Sequence, residues 1–221
     1  MKTFNYELFE EKTLQRKNID GKRLYVTENG DKYPSVTTVL SYFSRKGIAK
    51  WRANVGAEKA NQISTQASRN GNAVHDIAER YTLGTLDTKK ANPVALAQFK
   101  TIQPYLDNNV DTIYGIELRM YSDELRTAGT ADLICNYDGK KTMLDFKTSR
   151  KVKTKEQINN YFMQAAAYSI MVKEHYGMDI EQIVILMAVK DSEPLVFIEP
   201  IDYYIKMTRK FFQLYNEGKL E

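Results

Sequence analysis

GTADLICNYDGKKTMLDFKTS, residues 129–149, is the stretch whose reading decides the fold. It contains two mostly apolar runs, Thr130–Tyr137 and Thr142–Lys147, separated by Asp138-Gly139. Asp-Gly between such runs marks a tight hairpin, because both turn positions take a positive φ that Asp and Gly tolerate. Thr112–Tyr121 alternates as a strand ahead of them, with Ile113, Gly115, Glu117 and Arg119 on one side. Three strands in a meander follow. On a strand, residues i and i+2 share a face. Asp145 and Lys147 therefore project together from the end of an apolar strand that also carries Met143, Leu144 and Phe146. The other acid-x-Lys triplets, at Glu10, Asp20, Asp87, Asp138 and Glu217, sit in polar or turn-like surroundings.

A half-buried charge is costly unless it is paired or bound to metal. Pairing through the Asp138-Gly139 turn brings Asp132 near Asp145. Two carboxylates held together repel unless a cation sits between them. Oxygen donors of this kind suit Mg²⁺ or Mn²⁺. The plainer alternative is a strand-end ion pair between Asp145 and Lys147 on a solvated face.

The rest of the chain frames this hairpin. Upstream, Lys22–Thr27 and Asp31–Tyr33 read as strands around the turn Glu28-Asn29-Gly30. Ser35 is an N-cap for a helix carrying Val36, Val39, Leu40 and Phe43, and Gly47 interrupts before a helical piece around Trp51. Residues 56–83 read as helix, with a possible break at Asn70-Gly71, and Pro93 starts another. Downstream, Glu156–Tyr176 is a long helix closed by Gly177. Ile180–Lys190 and Leu195–Ile198 are strands, and Tyr203–Asn216 is a final helix. The expectation is an α/β fold in one domain, residues 1–221. Residues 1–110 form a mainly helical N-terminal part, and residues 111–221 a mixed β-sheet flanked by helices.

Composition excludes several classes. At 43% hydrophobic residues the 221-residue chain can bury a core, and disorder is not expected. The one cysteine, Cys135, rules out an internal disulfide, an iron–sulfur cluster and a four-cysteine zinc site, and fits a reducing cytoplasm. Met1–Leu8 holds no apolar run, so no leader peptide is expected, and nothing approaches the length of a membrane span. There is no Gly-x-x-x-x-Gly-Lys-Ser/Thr loop for a built-in motor and no Gly-x-Ser-x-Gly elbow. Net charge is +4 with a pI of about 8.9, mildly basic. Lys140, Lys141, Lys147, Arg150, Lys151, Lys153 and Lys155 crowd one stretch, which reads either as a solvated loop or as a path for phosphates.

Gly129-Thr130-Ala131-Asp132 followed by Leu144-Asp145-Phe146-Lys147-Thr148-Ser149 resembles the catalytic hairpin of the PD-(D/E)XK nucleases. More narrowly it is similar to the RecB-type branch, which includes phage exonucleases and the mitochondrial genome-maintenance exonuclease. Gly71-Asn72-Ala73-Val74-His75 resembles the upstream helix motif of that branch, and Gln164-Ala165-Ala166-Ala167-Tyr168 its Gln-x-x-x-Tyr motif. Tyr33-Pro34-Ser35-Val36-Thr37 looks like its N-terminal hairpin and helix. No proline precedes Asp132, and Asn72 stands where threonine is frequent; neither departure removes a ligand.

The resemblance implies a restriction-endonuclease-like sheet and a deoxyribonuclease dependent on Mg²⁺ or Mn²⁺. Asp132 and Asp145 would hold the metal, assisted by His75 and the Phe146 carbonyl, and Lys147 would serve the attacking water. Glu117, Gln164 and Tyr168 would touch the site. Arg69, Trp51, Arg150, Lys151 and Lys153 would contact DNA, single- or double-stranded. An exonuclease role in recombination, replication or DNA degradation follows, in the cytoplasm (a host's, for a phage protein) and with protein partners from those processes. An endonuclease on the same fold and a non-catalytic DNA-binding protein are the alternatives.

Overall fold

The structure, a computed structural model, describes residues 2–19 and 22–220. In chain order its elements are β1 (Asn5–Tyr6), β2 (Leu14–Ile19), β3 (Lys22–Thr27), β4 (Lys32–Pro34), α1 (Val36–Leu40), α2 (Arg45–Val55), α3 (Ala57–Thr82) and α4 (Pro93–Asn109). There follow β5 (Val110–Ser122), β6 (Thr127–Tyr137), β7 (Lys140–Ser149), α5 (Asn159–Tyr176), β8 (Gln182–Val189), β9 (Leu195–Pro200) and α6 (Asp202–Asn216). Strands assemble into a six-stranded mixed sheet, β1-β5-β6-β7-β8-β9, and a three-stranded sheet, β2-β3-β4. A mixed sheet with flanking helices agrees with the restriction-endonuclease-like α/β architecture expected from the sequence. No helix among the described residues is long and apolar enough to cross a membrane.

The central strands explain the layering. Every residue of β8 is buried, as expected of a strand covered on both faces and paired in parallel with β7. Alternate residues of β7 and β8 feed two cores. On one face Met143, Ile183, Ile185 and Met187 pack against α1, α5 and α6. On the other, Leu144, Phe146, Val184, Leu186 and Ala188 pack against Val74, Ile77, Ala78 and Tyr81 of α3 and Phe99, Ile102 and Leu106 of α4. Fully burying side chains of this size stabilises by about 1.5–3 kcal/mol each. These two layers fix α3, and with it His75, over the end of β7.

The turns behave as read. Asp138 and Gly139 take φ of 51° and 76°, and Tyr137 pairs with Lys140 across them. Gly177 caps α5 with φ 69°, and the Ser35 side chain caps α1 by accepting from Thr38 N–H. Three details differ from expectation. Helix α3 passes through Asn70-Gly71 unbroken, because its C-terminal half is anchored in the core and carries the helix across a glycine that alone costs only about 1 kcal/mol. Gly47 lies inside α2, and the break comes at Ser44 instead. Two strands precede Lys22: β1, two residues long, and β2, in which only Leu14 is buried.

Candidate active site

The β6–β7 ladder ends at Leu133–Leu144. Beyond it the next rung would set Asp132 against Asp145, and that rung is not formed. The strands part there, and Asp132 Oδ2 reaches across to accept the Phe146 N–H at 2.8 Å. In a strand a residue's N–H and C=O point to the same neighbour. The Phe146 carbonyl therefore also points into the gap.

Three donors meet beside this gap. His75, from α3, holds Nδ1 3.4 Å from Asp132 Oδ2 and 3.9 Å from Glu117 Oε1. The donor atoms of His75, Glu117 and Asp132 all lie within 4.8 Å of one another, so the trio can hold a metal ion. Asp145 lies outside that trio. It is 2% exposed, its Oδ2 ion-pairs with Lys147, and its buried Oδ1 has no partner among the described residues. A buried carboxylate with open lone pairs is a costly group that a cation would satisfy. Both observations fit a divalent cation held by oxygen and imidazole donors.

The electrostatics agree. Burial pushes the Asp145 carboxyl from 3.8 up to about 6; Asp132 adds to the rise and Lys147 opposes it. Burial pulls the Lys147 ammonium down, but Asp145 and Asp132 outweigh it and hold it above its ordinary value. Lys147 is therefore a fixed cation, suited to steadying negative charge rather than to taking a proton. Burial also pulls His75 down, yet Asp132 and Glu117 lift it from 6.5 to about 8.

These shifts set a pH dependence. Asp145 binds its proton more tightly folded than unfolded, so its burial penalty is absent below 3.8 and complete above about 6. Asp145→Asn removes that penalty but leaves the buried Lys147 without its counter-ion, so the sign of the difference at one pH is not diagnostic and its trend is. In chelator the melting temperature of the variant relative to the wild type should rise as pH climbs from 3.8 to about 6. Thermal melts of the two proteins across that window check it; a difference that moves in the wild type's favour as pH rises would contradict the placement of Asp145.

Glu117 reaches the site through an irregular strand. The β5–β6 register shifts between Val110 and Gly115, and Glu117 itself takes φ 46°. Tyr114 and Leu118 pack in one core while Ile116 packs against the other, so simple alternation fails here. A non-glycine residue in this region carries about 1–3 kcal/mol of strain, and such strain collects at functional sites. Glu117→Gly should relax the backbone and remove a donor together. Melting temperature is expected to hold or rise while metal affinity falls; a clear drop in melting temperature would show that Glu117 is there for structure.

The remaining expected site residues fall into three groups. Gln164 Nε2 donates to Tyr168 OH at 3.5 Å, and the Tyr168 ring packs so closely on Gly129 that a Cβ there would lie 2.7 Å from Tyr168 Cε1. Both back the hairpin from α5, and no hydrogen bond joins either to Asp132, Asp145 or Lys147. Arg150 and Lys151 are exposed and Lys153 half-buried on the segment after β7, beside the site. Lys140 and Lys141 do not join them: they lie at the turn end of the ten-residue β7, and Lys141 contacts Tyr114. Lys155 pairs with Glu199 at 2.6 Å. The single basic stretch is thus split in space by the length of a strand. Trp51 and Arg69 sit on α2 and on the N-terminal half of α3, where Ala60 alone is buried, outside the carboxylate cluster.

Two residues escaped the sequence reading. Tyr161 places its ring 5.1 Å from Lys147 Nζ. Its spacing four residues after Gln157 mimics the Gln164–Tyr168 pair, which obscured it. Glu79 shares a cleft of about 440 Å³ with Asn72, His75, Asp76, Glu117 and Lys147. Burial, then Glu117 and Asp76, raise its carboxyl. Its place one helical turn after His75 was the available signal.

No family model matches the sequence, and no curated protein matches it. Among solved structures, the chain is similar to a crystal structure from Eubacterium rectale described as a "Putative exonuclease", with a TM-score of 0.43, 14% identity and 69% of each chain covered. It is also similar to the crystal structure of SSO0001, with a TM-score of 0.35 and 15% identity, covering 81% of this chain and 75% of that one. Likenesses this distant do not carry an activity across, and function has to be argued from the site.

Proposed function

We propose that this chain is a divalent-metal-dependent deoxyribonuclease of the PD-(D/E)XK type that degrades DNA from an end. The observation that carries the reading is the parting of β6 and β7, where the His75–Glu117–Asp132 donor trio meets the buried Asp145–Lys147 pair. His75, Glu117 and Asp132 would hold Mg²⁺ or Mn²⁺, with Asp145 and the Phe146 carbonyl completing the site. When bound, such an ion acidifies a water and offsets charge on a scissile phosphate. Lys147, held as a cation against the Tyr161 ring, steadies the charge that develops on the phosphate. The Asp132 bond to Phe146 N–H fixes how far β7 stands from β6. Arg150, Lys151 and Lys153 line the approach for the strand's backbone. The resemblance to phage exonucleases supports a setting in recombination, replication or host-DNA degradation in the cytoplasm.

The test uses end-labelled linear DNA and a covalently closed circle, each with Mg²⁺, with Mn²⁺ and with chelator. Linear DNA should be degraded only with metal, and the circle should survive. Full activity in excess chelator would overturn the metal assignment. Cleavage of the circle would make the enzyme an endonuclease.

A further inference from the structure

A second cleft, of about 550 Å³, opens between the α3–α4 pair and the C-terminal ends of the parallel strands β7 and β8. Thr148 lines both this cleft and the one holding His75 and Lys147, so the two adjoin. Crevices beyond the carboxyl ends of parallel strands are where α/β sheets take ligands, and the volume lies in the range of roughly 300–1,000 Å³ usual for them.

Its walls combine three chemistries. Val94, 65% exposed, with Pro93 and Ala97 gives an apolar slab on the first turns of α4. Asn70 and Gln98 join across the two helices, Asn70 Nδ2 donating to Gln98 Oε1 at 2.7 Å. That bond leaves Asn70 Oδ1 and Gln98 Nε2 without a hydrogen-bond partner among the described residues, one acceptor close to one donor. At the mouth, Lys190 is 3.7 Å from Asp191, but Arg150 has no ion-pair partner among the described residues. An apolar slab alone would suit many ligands. A slab, a donor–acceptor pair and a free guanidinium together match the face, the edge and the phosphate of one nucleotide.

We propose that this cleft receives an unpaired nucleotide next to the scissile bond, which makes single-stranded or frayed DNA ends the substrate. The proposal rests on the nuclease reading and specifies its substrate. A base stacked and paired in a duplex cannot enter a side pocket without being unstacked. The two amides can exchange donor and acceptor by turning over together, which presents a match to any base. No sequence preference is therefore expected.

The experiment measures binding in chelator, where nothing is cleaved. A short labelled single-stranded DNA and a blunt duplex of the same sequence are titrated with wild type and with Ala97→Trp. Ala97 is exposed on α4, and the indole would fill the slab. Wild type should bind the single strand about tenfold more tightly than the duplex. Ala97→Trp should lose that margin while keeping its duplex affinity and melting temperature. A folded Ala97→Trp that binds the single strand as wild type does would overturn the proposal. Should that variant not fold, Arg150→Ala, at an exposed position, is expected to lose the margin in its place, and an unchanged margin there overturns the proposal equally. The two readings fail differently. A wild-type margin without cleavage in Mg²⁺ or Mn²⁺ upholds the pocket and overturns the nuclease; cleavage without any margin overturns the pocket alone.

Discussion

Asp132→Ala is expected to abolish cleavage and lower the melting temperature, whereas Asp132→Asn should abolish cleavage alone. Asp132 has two tasks in this structure. Its charge belongs to the donor trio, and its Oδ2 accepts the Phe146 N–H where the strand ladder has ended. Alanine ends both tasks and leaves a buried N–H unpaired, which costs about 1–3 kcal/mol. In a chain of this size that lowers the melting temperature by roughly 2–4 °C per kcal/mol. Asparagine keeps an oxygen for Phe146 but loses the charge, so the metal site weakens while the strands stay in place. Removing one preorganised electrostatic group from an active site typically costs about 10²–10³ in rate, and a ligand should cost at least that. Both variants also deprive His75 of the anion that raises it. Its titration, followed by NMR in chelator, should move down from about 8. Cleavage rate, melting temperature and the His75 titration are measured together; an Asn variant at the wild-type rate would remove Asp132 from the site.

Lys147→Ala is expected to lose about 10²–10³ in rate with a smaller change in DNA affinity, since one phosphate contact among several is removed. The buried ion pair adds a stability consequence. Without Lys147, no other cation among the described residues is in contact with Asp145, and its carboxyl should rise beyond its present value of about 6. At pH 7 it then takes up a proton instead of remaining as a buried charge, which limits the loss of stability. Adding Asp145→Asn to Lys147→Ala should restore melting temperature but not rate. Lys147→Arg should not rescue activity, because a planar guanidinium does not replace a compact ammonium packed against Tyr161. A Lys147→Ala enzyme that stays folded and cleaves as wild type does would put the chemistry elsewhere.

Much of this arrangement is legible in the sequence because local rules and tertiary packing agree. The Asp138-Gly139 turn fixes the hairpin register, and that register alone sets Asp132 level with Asp145. An acid within Met143–Phe146 stands out because its neighbours are apolar, and the Val74, Ile77, Ala78, Tyr81 stripe fixes which way α3 lies on the sheet. What escaped the reading depends on departures from regularity. Glu117 did not escape, but only the resemblance named it: it reaches the trio through a register shift and a positive φ, neither of which alternation reveals. The ladder between β6 and β7 stops at Leu133–Leu144 and the Asp132 side chain takes the Phe146 N–H beyond it, a tertiary event. Strand β2, LQRKNI, carries no apolar face because almost all of it is exposed, so no period marks it. The basic stretch misled for a geometric reason: residues close in sequence lie far apart when an extended strand separates them.

The central claim is that Asp132, Asp145, Lys147 and His75 form one metal-dependent site for cutting DNA. The most direct measurement is the rate of release of the end label from single-stranded DNA in Mg²⁺ by wild type and by Asp145→Asn, both confirmed folded by their melts. The account expects label release by the wild type, none in chelator, and a loss of at least about 10²-fold in the variant. Equal rates for the two proteins, or no release by the wild type in either Mg²⁺ or Mn²⁺, would contradict it.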